Sequence, residues 1–113
     1  MPALGLTITF LKDFGLGLWL TSPLLQSLAG VITILGGIAG KKEGWSRFDS
    51  LYWSFITATT VGYGDVRPVH RSSKIIAIVI ALIGLTLTGI VIALALHAGT
   101  LALAAHEAAV KAR

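Results

Sequence analysis

Two stretches of this chain run far past the length at which a water-soluble helix would carry charge. Phe14 to Gly40 is 27 residues without Asp, Glu, Lys or Arg, and Ile75 to His106 is 32. Roughly 20 apolar residues suffice for a helix to cross a hydrocarbon core about 30 Å thick. A soluble domain would carry about a quarter of its residues as charge. This chain of 113 residues carries 12% and is 55% hydrophobic, with mean hydropathy +0.85. An all-α membrane protein with two spans is expected. The net charge of +4 does not point to nucleic acid, because the basic residues flank the apolar runs and form no stripe with interleaved aromatics. Without cysteine there is neither a disulfide framework nor a thiolate metal site. Lys12-Asp13 interrupts the N-terminal apolar stretch and no basic segment precedes it, unlike a secretory leader.

Along the chain, residues 1–22 place Leu4, Ile8, Leu11 and Gly15 on one helical face, while Phe10, Phe14 and Leu18 spread the pattern. A short interfacial helix is expected, or else the start of one longer helix kinked at Pro23. Ser22 can cap a helix and Pro23 suits a first turn. The first span is expected over 23–40, with Gly30, Gly36 and Gly37 allowing close packing in lipid. Lys41-Lys42-Glu43 is expected to end it in water, and Trp45 suits a membrane interface.

Between the spans lies a helical segment, 49–59, capped by Asp49 or Ser46. At 1.5 Å per residue it reaches only about 16 Å, half a bilayer. Such a half-span is tolerated at membrane depth only against protein or an aqueous cavity, so the chain must re-enter and leave on the same side. The segment runs out into the string Thr57-Ala58-Thr59-Thr60-Val61-Gly62-Tyr63-Gly64-Asp65. Glycines at alternate positions, Gly62 and Gly64, permit an alternating backbone hand that other residues resist. Gly-Tyr-Gly alone would read as a turn. A turn leaves the Thr-rich prefix, the half-length helix, the two spans and Asp65 unexplained. A phosphate-binding loop lacks its Gly-Lys-Ser/Thr ending.

The string resembles the selectivity filter of potassium channels, and the chain around it resembles the small two-span prokaryotic potassium channels and potassium-channel pore domains. The resemblance covers roughly 43–98. It rests on Glu43-Gly44-Trp45-Ser46, Asp49 through Ser54, and Thr57 through Pro68. It implies a homotetrameric, potassium-selective pore in the bilayer and no enzyme. The implied pore domain is 23–113: outer helix 23–40, turret 41–48, re-entrant pore helix 49–59, extended filter 60–64, inner helix 74–106 and tail 107–113. Potassium ions would be held by carbonyls of Thr60, Val61, Gly62 and Tyr63, with the Thr60 hydroxyl at the innermost site and Gly64 closing the filter. No organic cofactor is implied. Unpaired carbonyls at the pore helix end, near Ala58 and Thr59, would favour a cation at mid-membrane. Tyr52, Trp53, Thr59 and Asp65 would support the filter, with Tyr63 turned toward Trp53 and Asp65 within reach of Tyr52. Three departures stand out. Tyr52 stands where the family commonly has a Trp, so its bond to Asp65 is expected to be altered. Ile56 replaces a glutamate that in some relatives pairs with the aspartate, so Asp65 is expected to be held less firmly. Arg67 replaces an aromatic and would ring the outer mouth.

In the second span, Gly84 falls at the family's hinge glycine. Packing between helices is the alternative use of a glycine there. Gly89 and Ala93 suit a close helix crossing. Leu85, Thr88, Ile92 and Leu96 form one helical stripe, assigned to a cavity wall or equally to a packing face. His97 lies about 33 Å along the helix from Ile75, where four copies could sense internal pH; an interfacial anchor is the alternative, and His106 is a second candidate.

Lys41, Lys42, Arg47, Arg67, Arg71 and Lys74 lie between the spans, against Lys12, Lys111 and Arg113 outside them. Charge alone would put the central loop in the cytoplasm. The resemblance puts it outside, with both termini cytoplasmic and the protein in the plasma membrane. The rival functions are the pore piece of a larger gated channel with a further domain or subunit, a weakly selective cation channel, an active potassium transporter subunit, and a two-span anchor.

Overall fold

The computed structural model describes residues 2–112. Four helices form: α1 (Pro2–Leu20), α2 (Ser22–Glu43), α3 (Arg47–Ala58) and α4 (Arg71–Lys111). There is no strand among the described residues. At 1.5 Å per residue, α2 reaches about 33 Å and α4 about 61 Å, but α3 only about 18 Å. α1, α2 and α4 are long and apolar enough to cross a membrane. α3, with 12 residues, is shorter than a spanning helix.

The helix ends differ from the expected bounds for local reasons. α2 runs past Gly40 to Glu43 because Gly44, at φ +75°, provides the left-handed residue that stops it. The Trp45 N–H then donates to the Gly40 carbonyl at 2.9 Å, closing the end. α3 starts at Arg47, two residues early, because Ser46 is the cap; its Oγ accepts from the Asp49 N–H at 3.1 Å. α4 begins at Arg71 and continues to Lys111, beyond the expected 74–106 at both ends.

Two compact units form. One holds Leu24–Thr88. Its core is Ile32, Ala39, Trp53, Ala58 and Ile80, flanked by Trp45, Val66, Ile76 and Leu87. α2 and α3 meet through missing side chains. A Cβ on Gly36 would overlap the Ser54 hydroxyl, and one on Gly40 would overlap that of Ser50. The expected packing glycines Gly30 and Gly37 have open space instead; only Gly36 of that set touches a neighbour. Ser50 and Ser54 satisfy their hydroxyls within α3, on Ser46 O and Ser50 O, so burying them leaves no orphan.

The other unit joins residues up to Pro23 with those from Gly89 onward. Here α1 is neither short nor amphipathic. Its half-buried face is Leu6, Phe10, Asp13, Phe14 and Gly17, whereas Leu4, Ile8 and Leu11 are exposed. A helix apolar all round carries no periodicity that says which face packs. Gly17 lies against Leu94, where a Cβ would stand 3.2 Å from Leu94 Cδ2. The small residues packed on α4 here are Ala98 and Ala102, both 2% exposed. Gly89 and Ala93, expected at a crossing, are exposed.

Candidate functional site

α3 delivers the glycine string. At its end, the carbonyls of the last turn have no partner within the helix. The Thr59 N–H takes Phe55 O at 2.9 Å, the Thr60 N–H takes Thr57 O at 3.2 Å, and the Gly62 N–H takes Ile56 O at 3.1 Å. The Thr59 hydroxyl also donates to Phe55 O, at 2.6 Å. Two amides of residues 60–64 are thereby spent on the helix that precedes them.

The backbone hand of the string alternates. Thr60, Gly62 and Gly64 have φ of 66°, 56° and 84°, and Val61 and Tyr63 between them do not have positive φ. Alternation of this kind is the condition for successive carbonyls to turn to one side. Sequence reading assigned it to the two glycines. It missed Thr60, a β-branched residue in left-handed geometry, which costs on the order of 1–3 kcal/mol and persists only where the surroundings fix it. Thr60 is the only such non-glycine residue among those described.

The surroundings begin with Gly84 of α4. A Cβ there would come within 2.5 Å of Ala58 Cα and 2.6 Å of Ala58 C. The end of α3 therefore rests directly on the α4 backbone. Trp53 is buried, and its ring packs on Trp45 with centroids 5.0 Å apart. Tyr63 is 71% exposed in the single chain. Trp53 serves the core of its own chain, which leaves Tyr63 without cover inside the chain. Phe48 stacks on Tyr52 at 6.5 Å, and Asp65 lies within electrostatic reach of the Tyr52 hydroxyl. Asp65 and Arg67 are both exposed.

The loop leaving the string is clasped by Glu43, which sequence reading left in water. Its Oε1 accepts from the Val69 and His70 N–H groups at 2.8 and 2.9 Å. Its Oε2 lies 2.8 Å from His70 Nδ1, and the Glu43 side chain is 3% exposed. Contacts 26 and 27 residues apart leave no local signal in a sequence.

On α4, Leu85, Ile92 and Leu96 are exposed on one side and Thr88 is half-buried. His97 is exposed and lies about 100° around the helix from Leu96. It shares neither that stripe nor the packed face of Ala98 and Ala102. His106 is half-buried beside Gly5, Leu6 and Thr9. Among the described residues no three His, Asp or Glu side chains gather where a metal ion could be held.

The family described as "Ion channel" matches residues 18–100. TWiK family of potassium channels protein 7 of Caenorhabditis elegans is 42% identical over 66 residues, 58% of this chain and 12% of that protein. A voltage-gated potassium channel of Aeropyrum pernix is 51% identical over 41 residues, 36% of this chain and 14% of that protein. Potassium channel AKT1 of Arabidopsis thaliana is 47% identical over 49 residues, 42% of this chain and 6% of that protein. The chain thus spans under a sixth of each of these three relatives. No solved structure matches it.

Proposed function

We propose that this chain, which belongs to the ion-channel family, is one subunit of a homotetrameric pore that conducts potassium passively across a membrane. The alternating positive φ at Thr60, Gly62 and Gly64 carries the reading. Four such strings ring a dehydrated ion with the carbonyls of Thr60, Val61, Gly62 and Tyr63, replacing its water at little net cost. Gly64 lets the chain leave the ring, and Thr59, Tyr52, Trp53 and Asp65 hold it from behind. The apolar stripe of Leu85, Thr88, Ile92 and Leu96 lines the cavity below, because in the single chain three of its four members are bare. Both termini lie in the cytoplasm and the membrane is the plasma membrane.

The test is the reversal potential of purified protein in a planar bilayer with potassium on one side and sodium on the other. Displacement toward the potassium potential is expected. A reversal near zero with robust current refutes selectivity. It would favour the second reading, a weakly selective cation pore, for which the bare Tyr63 and the missing glutamate at Ile56 speak. Gating by His97 is tested by open probability against internal pH in wild type and His97→Ala. Superimposable curves end that role. The named relatives are much longer proteins, which favours placing this pore within a larger gated assembly.

A further inference from the structure

α1 is apolar on every side, yet its own chain covers one face of it. Leu4, Ile8 and Leu11 on the other face, and Leu103 and Val110 near the end of α4, are each 52–59% exposed. We propose that these two bare stripes meet between copies of the chain: Leu4, Ile8 and Leu11 of one subunit pack on Leu103 and Val110 of the next, within the tetramer proposed above, on which this contact depends.

Within one chain, α1 runs antiparallel to the end of α4. Gly17 lies against Leu94, and Leu6 shares a cleft with Ala102 and Leu103. Nine residues back from Gly17 and nine on from Leu94, Ile8 and Leu103 stand level. At about 100° per residue, Leu4, Ile8 and Leu11 lie about 120–180° around α1 from Gly17. Leu103 and Val110 lie about 120–140° around α4 from Ala98, on the packed face. The two stripes therefore cannot meet inside one chain. Because the helices are antiparallel, both stripes turn to the same side of the pair. A closed ring of four pairs, α1 alternating with α4, needs that arrangement: a turn of about 135° at each helix, with head-to-tail contacts.

Depth and charge favour a second copy over lipid as the occupant. A hydrocarbon core of about 30 Å takes about 20 residues of α4, from Ile75 to Leu94. α1 accompanies the stretch beyond, where aliphatic side chains face water unless protein covers them. Lys12 and Asp13 also sit at the middle of α1, a costly place in lipid. Glu107 lies about 180° around α4 from Ala98 and forms no ion pair among the described residues. It points away from its own α1 and stands level with the start of a neighbour's, whose free amides and dipole favour a carboxylate. Past the seam, the flank of α4 carries the exposed His97, Thr100 and Lys111, a face for water. Leu16, Trp19 and Leu20 stay exposed outside the ring, at the level of the membrane boundary, where an indole belongs.

The chain has no cysteine, so introduced pairs report contacts without background. The test oxidises the full chain carrying Ile8→Cys/Leu103→Cys, in detergent, with copper phenanthroline. A ladder of dimers, trimers and tetramers is expected on a denaturing gel, since each chain links to two different neighbours, and reductant should collapse it. Each single variant is expected to stay monomeric. A dimer from Leu103→Cys alone overturns the contact, because the α4 ends would then meet one another. Absence of the ladder overturns it as well. Charge reversal gives a second readout by light scattering. Ile8→Lys and Leu103→Glu should each lower the tetramer-to-monomer ratio about tenfold or more, and the double variant should recover most of it; no recovery overturns the pairing. The mass of the wild type in the same detergent separates the two levels: four chains without a ladder refutes this contact alone, whereas a single chain refutes the tetramer with it.

Discussion

Gly84→Ala separates a glycine that packs from one that bends. In a helix interior this substitution alone stabilises by up to about 1 kcal/mol, because alanine is the better helix former. At Gly84 the new methyl would stand 2.5 and 2.6 Å from Ala58 Cα and C, where ordinary contact is 3.4–4 Å. Both are backbone atoms and cannot rotate aside. The end of α3 must move by about 1 Å, an overpacking that costs roughly 1–3 kcal/mol, toward the upper part of that range for a backbone neighbour. The net expectation is a loss of about 1–2 kcal/mol. Gly89 gives the control. It has nothing within 4 Å, so Gly89→Ala should gain several tenths of a kcal/mol. The two alanine variants should differ by about 2–3 kcal/mol in opposite senses. Thermal or denaturant unfolding in detergent measures this. Reversal potentials taken alongside should show selectivity falling in Gly84→Ala alone, since α3 carries the string. If Gly84→Ala is as stable and selective as Gly89→Ala, the contact with Ala58 does not locate the filter and the glycine is there to bend.

Three further outcomes are expected. Glu43→Ala should expose the Val69 and His70 amides and speed their hydrogen exchange on the order of a hundredfold, since two bonds to a charged acceptor are lost; His70→Ala, which keeps both, should speed it less than about tenfold, and equal effects would refute the clasp. Ser73 is fully buried with a hydroxyl lacking any partner, so Ser73→Ala should leave stability unchanged or raise it by up to about 1 kcal/mol, and a clear loss would mean that a bond is made there. Gly36→Ala and Gly40→Ala should each destabilise by about 1–3 kcal/mol through collision with Ser54 and Ser50, while Gly30→Ala, with nothing within 4 Å, should be tolerated.

What could be read in the sequence was what depends on length or on a contiguous string. The charge-free runs predict the long apolar helices α2 and α4, the short segment before residue 60 predicts α3, and within residues 57–65 the backbone hand alternates as the glycine spacing suggests. What could not be read depends on partners distant along the chain. Gly36 and Gly40 look no different in sequence from Gly30 and Gly37, yet only the first pair faces serines of α3. Glu43 sits in a run with two lysines, and nothing local says that it folds inward onto residues 69 and 70. α1 misled for a related reason. Its hydrophobic residues lie on all sides, so periodicity could not say that Asp13 and Phe14 face inward while Ile8 and Leu11 face out. Tyr63 is the opposite case, with a cover expected from the family that the single chain does not provide.

Thr60 ties these observations together. A threonine at φ 66° is held against its preference, and two hydrogen bonds reach from the string to α3: Thr60 N–H to Thr57 O, and Gly62 N–H to Ile56 O. At roughly 0.5–1.5 kcal/mol each, they about balance the strain and leave little surplus. The string is therefore not rigid by itself; it takes its geometry from where α3 ends. That end is set by Ala58 resting on Gly84 and by the serine face of α3 set into Gly36 and Gly40. Three glycines far from the string in sequence thus bear on its placement as Gly62 and Gly64 bear on its backbone hand. Selectivity should accordingly be lost through these contacts with the string itself unaltered.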